Sequence, residues 1–325
     1  MVKKHRKFPI AILMLEALLR RLHPQHPSRA KIKFDLRVRR SGYYGETQLD
    51  YHMAHLPRKN HYIFHDLRLP LTNKDFFQID SLLLSSSYFM IYEAKNHAGT
   101  LTFEEQQMLQ TYEGYTESYP NPIVQAENQQ YHMEKFIGKH FGFTLPGTSF
   151  VVVTNPSSII KFATHYEQIA SRKVIRPLAI RQKSEGFWDH HPIPLLSHAN
   201  LQKLCRLLLK LHTPLNTNIF KTFDVKKSDI LPGVFCSNCQ SLSMARVFGT
   251  WKCRRCRYLD KHAHIPALAD YYLLNGDTIT NRQLRQFLQL DSVTVATNLL
   301  GALRLPFDGT FKDRKYYLSL ERLRN

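Results

Sequence analysis

No stretch of this 325-residue sequence approaches the roughly 18 continuous apolar residues that a membrane-spanning helix needs. Stable insertion by a helix is therefore excluded, and the expectation is a soluble, cytoplasmic protein. The first residues, MVKKHRKFPIAILMLEALLRRLHPQHP, have the basic start and short apolar run of a signal peptide but no small-residue cleavage site. Glu16 interrupts the run, and Arg20 and Arg21 follow it. The segment reads instead as an amphipathic helix with basic ends that docks on the protein, with transient contact to a membrane surface as the alternative.

Acid is the second shortage, with 26 Asp and Glu against 45 Lys and Arg, a formal charge of +19. The hydrophobic fraction of 43% and aromatic fraction of 12% are those of a globular chain, so this charge sits on folded surfaces. Such a surplus calls for an anionic partner. Nucleic acid comes first and an acidic membrane surface second, against the plainer reading of a merely basic soluble protein. The length allows one large core or two to three smaller units, with no need of disulfides.

The pattern along the chain is α/β. A basic arm over 1–41 precedes GETQLDYHMAHL, whose Leu49, Met53 and Leu56 have helical spacing. NHYIFHDLRL, DFFQIDSLLL and YFMIYEAKN read as strands, the last two joined by a Ser-rich turn. A Gln-rich helix follows Pro122, and TSFVVVTNP reads as a central strand stopped at Asn155 and Pro156. That order describes a mixed sheet flanked by helices over 42–165. A mostly helical connector spans 166–230, with Cys205 on the apolar side of LQKLCRLLLKL as a buried thiol.

The other four cysteines form two pairs, FCSNC and WKCRRC, at Cys236, Cys239, Cys253 and Cys256. Two residues between partners let a tight turn aim both thiolates at one ion, and two such turns complete a tetrahedral site. Four thiolates leave no open position for a catalytic water, so the expectation is structural Zn2+ in a ribbon over 231–262. Paired disulfides are the alternative, and they need an oxidising compartment. Arg254, Arg255 and Arg257 place positive charge on the ribbon's rim, suited to phosphate contacts. Over 263–325, TITNRQLRQFLQLDSVTVATNLLGALRL reads as two helices around a short turn, followed by KYYLSL. This is a helix-turn-helix shape, which serves DNA reading in some proteins and plain packing in others.

The residues that ask for a function lie in DFFQIDSLLLSSSYFMIYEAKNHAG, where Asp80, Glu93 and Lys95 interrupt apolar strands. A buried unpaired charge costs several kcal/mol or shifts its pKa until it is neutral. Glu93 and Lys95, two apart, share a strand face, and a hairpin brings Asp80 beside them. A divalent cation between the carboxylates relieves their repulsion, and a lysine beside it orients or deprotonates a water for attack on phosphorus. Glu46 on the preceding helix is placed to hold a metal-bound water. The plainer alternative is an exposed charge pair worth under about 1 kcal/mol.

Four ordered blocks, GYYGETQLDY, FFQIDSLLL, IYEAKNHAGTL and NPIVQAENQ, together resemble the NERD (nuclease-related) domain of the PD-(D/E)xK nuclease superfamily over about Gly42 to Asn155. The tail resembles that of bacterial NERD proteins with a four-cysteine ribbon. The resemblance implies a restriction-endonuclease-like sheet and Asp80 and Glu93 as ligands of Mg2+ or Mn2+. It further implies Lys95 as the catalytic lysine, Glu46 as the first-helix acid, and Gln125 as a substrate or water contact. The expected function is metal-dependent endonucleolytic cleavage, with DNA as the expected substrate. The rival is a non-catalytic nucleic-acid-binding or signalling adaptor that retains the fold. Cutting both strands with a single site needs two copies or two binding events, so a homodimer is compatible with this reading.

Overall fold

The computed structural model describes residues 1–57, 61–310 and 313–324. Asn60, the first residue of the NHYIFHDLRL strand reading, and Asn325 lie outside them. The chain folds as two compact units, one of residues 1–8 and 38–216, the other of 9–37 and 217–325. The basic stretch before Gly42 is regular structure: β1 (Val2–Lys4), α1 (Ile10–Arg21) and the first part of α2 (Arg29–Ala54). The helix seen in GETQLDYHMAHL thus begins well before it and runs through Gly42 and Gly45.

In the first unit, β2 (His61–Pro70), β3 (Phe76–Ser85) and β4 (Phe89–Lys95) form an antiparallel meander. Next come β5 (Thr100–Phe103), β6 (Gln107–Tyr112), β7 (Tyr115–Pro120), α3 (Pro122–Phe141), β8 (Gly147–Val153) and β9 (Ile159–Phe162). The unit ends with α4 (Glu167–Lys173), β10 (Val174–Ile175), α5 (Ile180–His190) and α6 (His198–Leu211). Six strands in the order β1-β2-β3-β4-β8-β10 make a mixed sheet, with β1, β8 and β10 paired in parallel. A second sheet, β7-β6-β5-β9, lies beyond the sequence expectation: its strands are short and polar, and β7 is almost wholly exposed.

Alternation along the strands sends side chains to two cores. Phe89 and Ile91 of β4 join Met133, Phe136 and Ile137 of α3 and Leu204 and Leu208 of α6. Met90 and Tyr92 join Leu49 and Met53 of α2 and Trp188 of α5. Cys205 is buried among the first set, as expected, and burial pushes its thiol up to about 11. On β3 the alternation slips. Ile79 and Leu82 enter the same core, although a regular strand would send them to opposite faces. On β2, between residues paired with Ser81 and Ile79, Asp66 adopts φ +53°. This left-handed residue re-aims the strand locally, as a bulge does, and it does so beside Asp80.

The second unit holds α7 (Ile219–Phe223), the three-stranded ribbon β11 (Met244–Val247), β12 (Thr250–Cys253) and β13 (Leu259–Asp260), and α8 (His264–Asn275). It continues with β14 (Thr278–Thr280), α9 (Asn281–Leu288), α10 (Val293–Ala302), β15 (Phe307–Asp308), β16 (Lys315–Tyr317) and α11 (Leu320–Arg324). The expected helix pair is α9 and α10: Thr280 caps the first in a reciprocal capping box with Gln283, and Ser292 caps the second. Ribbon and helices share one core, in which Trp251 packs with Leu268, Leu284 and Leu300. Among the described residues no helix is long and apolar enough to cross a membrane.

Candidate functional site

The strand slip at Asp80 and the end of β4 create the site. Ser81 pairs with Tyr92, so Asp80 lies next to Glu93 across the ladder, and its Oδ2 accepts from the Ala94 amide at 2.9 Å. Glu93 continues the β4 face that meets α3. Its Oε1 accepts from Lys95 Nζ at 2.6 Å and from Gln125 Nε2 at 2.7 Å, and its Oε2 accepts from Gln129 Nε2 at 2.8 Å. Gln125 in turn accepts from Lys95 Nζ through Oε1 at 3.1 Å. The helix is set by Asn121, whose side chain caps the Ile123 amide and donates to the Glu104 and Glu105 carbonyls. Asn121 is thus a structural cap, with Gln125 and Gln129 presented on one helix face by their i, i+4 spacing.

The first-helix acid is delivered by α2. A Cβ on Gly45 would lie 2.5 Å from Asn96 Cβ and 2.7 Å from Thr154 Oγ1, so only glycine lets the helix approach the ends of β4 and β8 this closely. Glu46 then accepts from Arg6 at 2.6 Å. One turn on, Asp50 accepts from the same guanidinium at 2.9 and 3.1 Å, and lies 2.9 Å from His65 Nδ1. His65 Nδ1 is also 2.8 Å from Ser81 Oγ. Arg6, Asp50, His65 and Gln129 join the site although the sequence reading did not single them out. Asp50 and Gln129 stand one helical turn from Glu46 and Gln125, which is a usable signal, whereas Arg6 is one cation in a run of them.

Electrostatics separate the groups. Burial pushes Asp80 well above the usual carboxylate range, and the neighbouring Glu93 and Glu46 push it further. Burial also raises Glu46, against the opposing pull of Arg6. Asp50 is buried too, yet His65 and Arg6 hold it below the usual range. For Lys95, burial favours the neutral amine, but the Glu93 and Asp80 carboxylates outweigh it and raise the pKa. Lys95 is therefore an ammonium in this arrangement. Four carboxylates, Glu46, Asp50, Asp80 and Glu93, face two permanent cations, Arg6 and Lys95, leaving acid in surplus.

The chemistry of this donor set fits Mg2+ or Mn2+, since Mg2+ takes one or two carboxylates and fills its remaining positions with water and substrate phosphate. Asp80 and Glu93 are the two that would hold it. Beside them, a cavity of about 650 Å3 is lined by Gln125, Gln129, Asn128 and Gln78 with Phe77 and His132.

The second candidate centre is of another kind. Among the described residues, Cys236, Cys239, Cys253 and Cys256 are the group whose ligand atoms all lie within 4.8 Å of one another. The two Cys-x-x-Cys turns repeat each other. Gln240 and Arg257, each just after a pair, adopt φ +55° and +65° and donate their amides to the carbonyls of Cys236 and Cys253. The Cys256 amide and the Ser243 hydroxyl point at Cys253 Sγ and lower its pKa to about 5, which readies a thiolate for a metal. No disulfide joins these thiols; the arrangement fits structural Zn2+ with tetrahedral sulfur ligation. Arg254, Arg255 and Arg257 are all exposed on the second turn.

Residues 41–154 match the sequence profile of the nuclease-related domain. No curated protein and no solved structure matches the chain.

Proposed function

We propose that the protein is a divalent-cation-dependent nuclease that hydrolyses phosphodiesters in nucleic acid, DNA in the first place, within the reducing cytoplasm. The observation that carries this reading is the crowding of Asp80 against Glu93, in a position where burial and two other acids disfavour its ionised form. A sequence without use for a cation there has no reason to keep that arrangement. Free rather than paired cysteines accord with a reducing compartment.

When bound by Asp80 and Glu93, Mg2+ or Mn2+ supplies polarisation of a phosphate oxygen and a water of lowered pKa. Gln125 and Gln129 fix the Glu93 carboxylate, so its oxygens are aimed before substrate arrives. Lys95 acts as a cation: its ammonium orients a water and offsets charge developing on the phosphate oxygens. Glu46, held by Arg6, is the acceptor placed for a further water. Arg254, Arg255 and Arg257 lend the ribbon phosphate contacts that add affinity without sequence information. Cleavage of both strands by one such site calls for a second copy or a second binding event.

A specific observation favours a second reading, a nucleic-acid-binding adaptor: both Glu93 oxygens already have partners, and the carboxylates form no cluster as tight as the thiolates. One assay separates the two. Supercoiled, linear and single-stranded DNA and RNA are incubated with the protein in Mg2+, Mn2+ or EDTA, beside Lys95→Ala and Asp80→Ala. Metal-dependent cutting that falls about a hundredfold or more in both variants supports the nuclease. Full activity in either variant removes these residues from the mechanism, and salt-sensitive binding without any cutting supports the adaptor.

A further inference from the structure

The matched family domain begins at residue 41, yet the acid side of its site is organised by a residue far upstream. β1 pairs in parallel with β2, Val2 opposite Ile63 and Lys4 opposite Phe64. Lys4 Nζ donates to the carbonyls of His65 and Asp66 at 2.8 and 2.7 Å, which clamps the segment against the left-handed turn of β2. Two residues on, the Arg6 side chain is only 3% exposed. Its guanidinium makes four hydrogen bonds: Nη1 to Glu46 Oε2, Nε and Nη2 to Asp50, and Nη2 to the Asp80 carbonyl at 2.7 Å. It thus reaches the helix that carries Glu46 and the strand that carries Asp80 in one rigid fork, a geometry that a lysine's point charge does not reproduce.

We propose that Arg6 is a positioning residue of the cation site: by tying Glu46 and Asp50 of α2 to the Asp80 main chain, it sets the acceptors around Asp80 and Glu93. The segment before the family domain is, on this view, part of the active centre. The inference rests on the nuclease reading for its cation but not for any turnover. Removing Arg6 leaves Asp50 to His65 and Ser81 and takes from Glu46 the donor that ties it to Asp50 and to the Asp80 main chain, so that Glu46 is free to swing or to repel the neighbouring carboxylates. Partners that orient ligands in this way are worth about 10- to 100-fold in metal affinity when lost.

The test is Mn2+ binding by calorimetry on the full chain, for the wild type, Arg6→Lys, Arg6→Ala, Glu46→Gln and the double variant Arg6→Ala/Glu46→Gln. Thermal melting and bound zinc report folding. Arg6→Ala is expected to weaken Mn2+ about tenfold or more, Arg6→Lys to recover part of the loss, and the Arg6→Ala effect to shrink below about twofold in the Glu46→Gln background. If Arg6→Ala does not fold, Arg6→Lys decides alone, with Mn2+ affinity between wild type and Glu46→Gln expected. Where DNA is cut, Arg6→Lys lowers kcat and leaves KM for DNA within about twofold. Wild-type affinity in both Arg6 variants overturns the proposal, as does an Arg6→Ala loss of equal size with and without Glu46. A wild type whose Mn2+ affinity depends on Arg6 but which cuts nothing supports the proposal and sinks the nuclease reading. A wild type that binds no Mn2+ overturns the proposal together with the cation.

Discussion

Each unit buries an arginine against carboxylate, and the two clusters are built to opposite ends. In the second unit Arg21 is 0% exposed and Asp270 4%, and Arg20 shares the same carboxylate. Arg21 also donates to the Leu231 and Gly233 carbonyls and lies over the Phe287 ring. Cations outnumber acid there, both Asp270 oxygens are engaged, and Arg21 packs against aromatic rings. In the first unit one Arg6 serves two acids, Glu46 is 27% exposed, and Asp80 and Glu93 stand beside them with Lys95 alone to offset them. A buried knot whose cations outnumber its acid is structural; an acid surplus is a site that expects a cation. The thiolate cluster repeats the lesson, since a structural centre is complete in its ligands.

Zinc removal is expected to have the largest effect. Chelation should abolish the cooperative melting of the ribbon unit, because structural zinc contributes on the order of 10 kcal/mol in small four-ligand sites. Trp251 fluorescence in a Trp188→Phe background follows this unit alone, since Trp251 packs in the core that contains Cys236 and Cys253. Next, Asp270→Ala should cost about 3–5 kcal/mol by leaving Arg21 buried and unpaired, measured by urea unfolding, without changing Mn2+ affinity. Mn2+ binding that fell with Asp270→Ala would erase the distinction between knot and site.

Smaller effects sharpen the contrast. Gly45→Ala should cost about 1–3 kcal/mol through the clash with Asn96 and Thr154, and weaken Mn2+ binding by moving Glu46. Unchanged Mn2+ affinity would separate Glu46 from the site. The least effect is in acid. Asp50 is held below the usual carboxylate range, so its contribution is present above pH about 4 and is lost as pH falls through its lowered pKa. Asp50→Asn should flatten the fall in urea midpoint between about pH 5 and pH 2.5; an unaltered slope would show that Arg6 and His65 contribute nothing there.

The site strands were legible because β3 and β4 are short, nearly continuous apolar runs bounded by turn residues, and because E-x-K places two charges on one face. The cysteine spacing was legible for the same local reason. What was hidden depends on tertiary packing. The glycine at 42 ended the basic arm in the sequence reading, but α2 runs through Gly42 and Gly45; at Gly45 a glycine's cost in a helix, about 1 kcal/mol, is offset by close packing on Asn96 and Thr154. The β5–β7 sheet carries few apolar residues and takes its order from Leu101, Phe103 and Met108 packing on α3 and β8. Arg6 is invisible in a run of cations, because only the pairing of β1 with β2 sets it apart.

The most direct measurement compares the same substitution in both clusters: thermal melting of Asp80→Asn and Asp270→Asn at pH 7.5, with and without Mn2+. Asp80 favours its protonated form in the fold, so its ionisation costs stability as pH rises, and asparagine removes that cost while still accepting from the Ala94 amide. The account predicts that Asp80→Asn melts above wild type without metal and no longer responds to Mn2+, while Asp270→Asn melts below wild type. Destabilisation by Asp80→Asn, with a wild-type melting point indifferent to Mn2+, would make the two clusters alike and contradict the claim that the first is kept for a cation.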